Sequence, residues 1–122
     1  MPPVTRSEEN FDPGAKYHVV SNVPYTRYFL AHILQFQFHR SLCQIGGQNE
    51  QPLHLCDIYQ QKHVGARFRQ MLDMGNSRHW SYILETLTGE STFTSEAILD
   101  YFQPLYKWIK QENIRQGYPV GW

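Results

Sequence analysis

The chain has 122 residues, 11 Lys and Arg against 11 Asp and Glu, two cysteines, and 41% apolar residues, with aromatics alone supplying 15%. That length holds one domain at most. A formal net charge of zero, with basic residues scattered from Arg6 to Arg115, builds no basic stripe, which argues against nucleic acid and an anionic membrane surface as partners.

Residues 1–24 read as a loop punctuated by Pro2, Pro3, Pro13, Gly14 and Pro24, with one short strand-like run, Lys16 to Val20. MPPVTRSEEN has neither the basic start nor the apolar run of a signal peptide, and no stretch approaches the roughly 18 apolar residues of a spanning helix. After Pro24 a helix is expected from Tyr25 to Ile45, ending at Gly46-Gly47. Three shorter amphipathic helices follow. Lys62 to Met74 places Val64, Phe68, Met71 and Leu72 on one face, and His79 to Leu87 does the same with Trp80, Ile83, Leu84 and Leu87. The last, from an N-cap at Ser95, carries Ile98, Phe102, Leu105 and Ile109, with Pro104 inside it freeing the carbonyl of Asp100. The helical region is 25–116, residues 117–122 form a tail, and the fold class is all-α.

The long helix has apolar side chains in every direction around its axis, among them Tyr28, Phe29, Leu30, Ile33, Phe36 and Leu42. Such a helix is normally buried on all sides, and three short helices do not wrap it. These residues suit a larger body, of which 1–122 is a partial domain.

The chemistry-bearing residues give few constellations. Six histidines include no H-E-x-x-H. His39 and Cys43 at i, i+4 supply two metal ligands, which do not close a site, so no metal is expected within the chain. No G-x-S-x-G or nucleotide-binding glycine pattern occurs. Cys43 and Cys56 flank the turn GGQNEQP, and spacing alone leaves open a disulfide or two free thiols. A bridge implies an oxidising compartment, which conflicts with the missing signal peptide and suggests that the true N-terminus lies elsewhere. In KYHVVSNVPYTRY, residues 16–28, a cation and several imidazole and hydroxyl donors crowd together. Lys16 and His18 share one face of the extended piece, and Tyr25 and Tyr28 share a helix face. Such a group suits a carboxylate and a developing oxyanion.

FDPGAKYHVVSNVPYTRYF, followed by ILQFQFH, SLC, PLHLCDIY, GARFRQMLDMG, SRHW and ILDYFQPLYKWIKQEN, closely resembles the C-terminal portion of the angiotensin-converting enzyme family, extracellular zinc peptidyl-dipeptidases. The insect-type single-domain enzymes are the most similar. The resemblance implies that Lys16 and Tyr25 grip the C-terminal carboxylate of an oligopeptide substrate. It implies that His18 bonds the substrate backbone and that Tyr28 stabilises the tetrahedral transition state. Arg27 matches a chloride-binding arginine, and Cys43 and Cys56 match a family disulfide. The cofactors implied are zinc and chloride, and the parent protein is expected outside the cell or anchored to its surface, though this segment itself makes no membrane contact.

The family's zinc ligands and general base lie N-terminal to the matched region and have no counterpart here, so the chain alone is expected to be inactive, with the N-terminal part of the domain as its partner. His32 stands where many members have phenylalanine, on the face turned to the substrate, and His79 and Ser81 replace common prolines. Two readings follow: a segment of a working peptidase, which the intact Lys16, His18, Tyr25 and Tyr28 favour, or a non-catalytic peptide-binding or interaction module.

Overall fold

The computed structural model describes residues 5–119, and among them there is no strand. The extended piece expected at Lys16–Val20 is instead one helical turn, α1, Tyr17–Val20, entered through a 3-10 turn at Pro13–Ala15. Val19 and Val20 favour strands, but no strand lies alongside to pair with their backbone. Local bonds satisfy it: Ser21 N donates to Tyr17 O at 2.8 Å and Val23 N to His18 O at 2.9 Å. The second closes a Schellman-type end in which Asn22 takes the left-handed conformation, φ 56°. Lys16 and His18 therefore do not share a strand face.

Helix α2, Thr26–Ile45, begins two residues after Pro24 and ends at Gly46. A 3-10 turn at Leu53–Leu55 precedes α3, Lys62–Asp73, and then α4, Trp80–Thr88. Helix α4 starts where the His79 ring accepts the Ser81 N–H at 3.4 Å, and it ends at Gly89 with φ 74°. Helix α5, Glu96–Gln116, has Ser95 at its N-cap position as expected, but the Ser95 side chain makes no capping bond. Thr94 Oγ1 accepts the Glu96 N–H at 3.2 Å instead. At 21 residues α5 is as long as α2 with 20. It continues through Pro104, so the proline removes one bond without stopping the helix.

The core sits over the second half of α2. Leu42 packs with Val64 and Met71 of α3 and Leu87 of α4, and Phe38, Phe68 and Ile83 close around them. Cys43 and Cys56 form a disulfide with a Cα separation of 6.1 Å, the alternative that spacing alone left open. Closing a loop of this size stabilises by about 3 kcal/mol through the unfolded chain.

Beside this core lies a polar knot. Gln37 is fully buried, and its amide donates to the Glu90 carboxylate and, at 3.1 Å, to Thr92 O, while its oxygen accepts the Thr94 N–H at 3.3 Å. Arg40, one turn on, bonds the same Glu90 at 3.1 Å and pairs with Glu96 at 3.7 Å. Together they pin the α4–α5 connection to α2 and give Glu90 the partners that a part-buried carboxylate needs.

The first half of α2 is uncovered. Its buried residues are Gln37, Ser41, Leu42 and Cys43, all in the second half, while Phe29 is 65% exposed. Helix α5 shows Leu99, Trp108 and Ile114 to solvent. The chain exposes 9984 Å², whereas a compact monomer of 14.4 kDa exposes about 6,800 Å². The burial expected along all of α2 is thus supplied only over its second half, and the first half has the composition of an interior without a neighbour.

Replacing Gln37 by the similarly sized Leu leaves the Thr92 carbonyl and the Thr94 N–H without their partner. The expected result is a loss of about 1–3 kcal/mol in denaturant unfolding, with faster hydrogen exchange at the Thr94 amide. Unchanged exchange there would show that the knot does not hold the connection.

Candidate functional site

Three rings meet where α1 folds back over the start of α2. The His18 ring lies 5.2 Å from that of Tyr25 and 6.4 Å from that of Tyr28, and the two tyrosine rings are 5.1 Å apart. The sequence dictates this locally. Tyr25 and Tyr28 are three apart at a helix start, so they stack on one face, and the turn at Asn22 returns His18 across them. Nδ1 of His18 is buried and has no hydrogen-bond partner. A buried polar atom of that kind is uncommon in a finished structure.

Next to the rings an open groove of about 480 Å³ is lined by Tyr25, Thr26, Tyr28, Phe29 and His32. Nδ1 of His32 donates to the Tyr28 carbonyl at 2.7 Å, which leaves Nε2 as the ring's other polar atom. The tyrosines are accessible, Tyr25 39% and Tyr28 50% exposed, so both phenols are available to a ligand. The groove combines a hydroxyl-rich wall, an imidazole and the apolar Phe29, a lining suited to an extended polar molecule with apolar side chains.

The structure thus brings His18, Tyr25, Tyr28 and His32 together. It does not bring in every residue singled out from the sequence. Lys16 sits at the N-cap of α1, exposed and outside the groove lining, and Arg27 on the first turn of α2 is exposed and likewise outside it. Neither forms an ion pair among the described residues. Thr26 and Phe29 line the groove without having been singled out, although their places beside Tyr25 and Tyr28 on the helix would have indicated them.

A family model described as angiotensin-converting enzyme matches residues 1–122, the entire chain. The chain belongs to the angiotensin-converting enzyme family. It is 53% identical over 126 residues to the angiotensin-converting enzyme-related protein of Drosophila melanogaster, covering 99% of this chain and 20% of that protein. It is 50% identical over 121 residues to an angiotensin-converting enzyme-like protein of Mus musculus and 47% identical over 121 residues to the angiotensin-converting enzyme of Mesocricetus auratus. Those matches cover 99% of this chain and 16% and 9% of the two relatives. The chain therefore spans a fifth or less of these relatives, and it is a helical segment of a metallopeptidase family.

The residues around the groove do not form a metal-ligand set. Among the described residues, one group of His, Cys, Asp and Glu is close enough to share an ion, namely His39, Cys43 and Cys56, and its sulfurs are joined in the disulfide. A catalytic zinc does not fit this segment's own side chains. No helix among the described residues is long and apolar enough to cross a membrane.

Proposed function

We propose that this chain is the part of a zinc peptidyl-dipeptidase domain that grips the substrate's C-terminal carboxylate and stabilises the developing oxyanion. The observation that carries the reading is the stack of His18, Tyr25 and Tyr28 beside an open groove on the uncovered end of α2, within a chain matched along its whole length by the family. The metal and general base come from the N-terminal part of the same domain. That part also covers the apolar faces of α2 and α5, which accounts for a surface about 3,000 Å² larger than a compact monomer's.

In this reading the substrate is an oligopeptide with a free C-terminus. Lys16 and Tyr25 hold its terminal carboxylate, Tyr25 from the groove wall and Lys16 from the adjacent start of α1. His18 bonds the peptide backbone through its ring nitrogen other than the buried Nδ1. The Tyr28 phenol donates to the oxygen that gains charge as the scissile carbonyl becomes tetrahedral. The zinc, held elsewhere in the domain, would supply the activated water and polarise that carbonyl. Arg27 takes chloride, between the groove residues Thr26 and Tyr28 in sequence but itself outside the lining. The disulfide supports an extracellular or surface-anchored setting.

The test uses the complete enzyme. Lys16→Ala and Tyr25→Phe should raise KM for peptides with a free C-terminus by about tenfold to a hundredfold, corresponding to a charge-assisted hydrogen bond of about 1.5–3 kcal/mol, and should barely alter it for amidated peptides. Equal losses on both substrates would remove the carboxylate grip from these residues. An enzyme without zinc-dependent dipeptide release would instead favour a peptide-binding module.

Tyr28→Phe separates transition-state from ground-state binding. Its expected signature is a fall in kcat with KM nearly unchanged, read by steady-state kinetics, and a rise in KM alone would make Tyr28 a binding residue only.

His32 lines the same groove, so it should act on specificity near the substrate's C-terminus. An imidazole presents a polar ring nitrogen where phenylalanine presents none, which favours a polar or acidic substrate side chain. The kcat/KM ratio for peptides ending in Glu against Leu should be higher in the native enzyme than in His32→Phe. Identical ratios in both proteins would place His32 outside the specificity pocket.

A further inference from the structure

The disulfide has an imidazole beside it that the groove does not use. His39 lies one helical turn before Cys43, and its Nδ1 and Nε2 stand 3.9 and 3.6 Å from the Cys43 sulfur. The ring is held by the Leu53 carbonyl, 3.3 Å from Nε2. A carbonyl only accepts, so Nε2, the ring nitrogen nearer the sulfur, carries the proton, and Nδ1, 3.9 Å from the sulfur, keeps its lone pair. Metal-ligating histidines are commonly fixed in this way, one nitrogen donating to a backbone carbonyl while the other faces the ion. The donor atoms of His39, Cys43 and Cys56 all lie within 4.8 Å of one another.

The separations suit a tetrahedral ion. With zinc–sulfur bonds near 2.3 Å and zinc–nitrogen bonds near 2.0 Å, a tetrahedral site has sulfur–nitrogen edges of about 3.5 Å and a sulfur–sulfur edge of about 3.8 Å. Nδ1 and the Cys43 sulfur are already within half an ångström of that edge. The two sulfurs must part and the His39 ring must turn to present Nδ1 to both, and Cys56 follows the short 3-10 turn at Leu53–Leu55 rather than lying inside a long helix. Cys43 is 2% exposed, so a thiolate there loses most of its hydration and gains from a cation. A polar cavity of about 130 Å³ opens beside Cys43, with Gln48, Gln51 and Asp100 in its wall. It offers an entry path and an oxygen donor for a fourth ligand. The nearest fixed cation, Arg40, is paired with Glu90 and Glu96.

We propose that His39, Cys43 and Cys56 form a binding site for a thiophilic divalent cation of the zinc class, closed while the disulfide is intact and opened by its reduction. A dithiol reductant opens it in two exchanges. One thiolate attacks the more accessible Cys56 sulfur and Cys43 leaves as a thiolate. The second thiolate of the same molecule then attacks the reductant's own sulfur in the mixed disulfide, and Cys56 leaves. Two electrons pass to the protein and the reductant departs as its cyclic disulfide. The cation binds both thiolates and Nδ1 of His39, and the thiol protons go to solvent. The same dithiol state exists in any chain whose disulfide has yet to form. This site is separate from the groove and stands independently of the peptidase reading.

The test uses the 122-residue chain reduced with a water-soluble phosphine, which takes its oxygen from water and does not compete for the metal as a dithiol would. Titration with cobalt(II) alone should give sulfur-to-metal absorption in the near ultraviolet and tetrahedral ligand-field bands in the visible, saturating at one ion per chain. The oxidised chain should give neither. Cys43→Ser and Cys56→Ser should abolish the bands, and His39→Gln should weaken binding by at least about tenfold. His54→Ala, on the neighbouring turn, should leave the bands intact. A reduced chain without one-to-one bands overturns the proposal, whether or not it stays folded. So does a His39→Gln titration identical to the parent, or a loss on His54→Ala matching the loss on His39→Gln.

Discussion

The packing of the second half of α2 against α3, α4 and α5 is the constraint from which the other features follow. Leu42 and Phe38 supply its apolar part, Gln37 and Arg40 its polar part, and Cys43 a covalent tie, all within two turns of one helix. Because that half is held on several sides, the first half projects as a rigid extension of the same rod, carrying Tyr25, Tyr28 and His32 at fixed spacing. A site placed on such an element owes its precision to a core it does not touch.

The polar part of this anchor contributes something that the apolar part does not. Leu42 and its neighbours can be exchanged for side chains of similar volume with modest loss, whereas Gln37 satisfies two carbonyl or carboxylate acceptors and one N–H in a single geometry. It therefore selects one arrangement of the α4–α5 connection, and with it the direction in which α5 leaves the core. Both helices then leave apolar side chains exposed, Phe29 on α2 and Leu99, Trp108 and Ile114 on α5.

Much of this was legible in the sequence because its signals are local. Gly46, Gly75 and Gly89 mark helix ends to within a residue or two, and the periodicity of Val64, Phe68 and Met71 identifies the inward face of α3. The spacing of Tyr25 and Tyr28 gives half of the ring stack. The turn at α1 was misread because Val19 and Val20 carry a strand preference that expresses itself only when a partner strand is present. Ser95 holds the N-cap position read from the sequence, but Thr94, one residue earlier, supplies the capping hydroxyl. The role of Gln37 was invisible, since its partners are more than fifty residues away. Cys56, 13 residues from Cys43, was legible as its possible partner across the turn, whereas its approach to His39 was not. The first half of α2 gave the plainest signal, being too apolar for a surface helix, and the structure locates that excess without supplying what covers it.

Asn22 is a small feature with a long reach. It is one of two non-glycine residues among those described with a positive φ, and asparagine tolerates that conformation where β-branched residues do not. It sits in the turn that reverses the chain between His18 and Tyr25. The imidazole is thus aimed by a backbone torsion as well as by its ring contacts with Tyr25 and Tyr28. Natural variation around the groove has two unequal kinds of freedom as a result. Side chains on the α2 wall can change one at a time and retune chemistry, whereas the residue at the reversal is confined to the few types that accept the left-handed basin. Drift at that position is felt as a change of aim, without any group that meets a ligand having been altered.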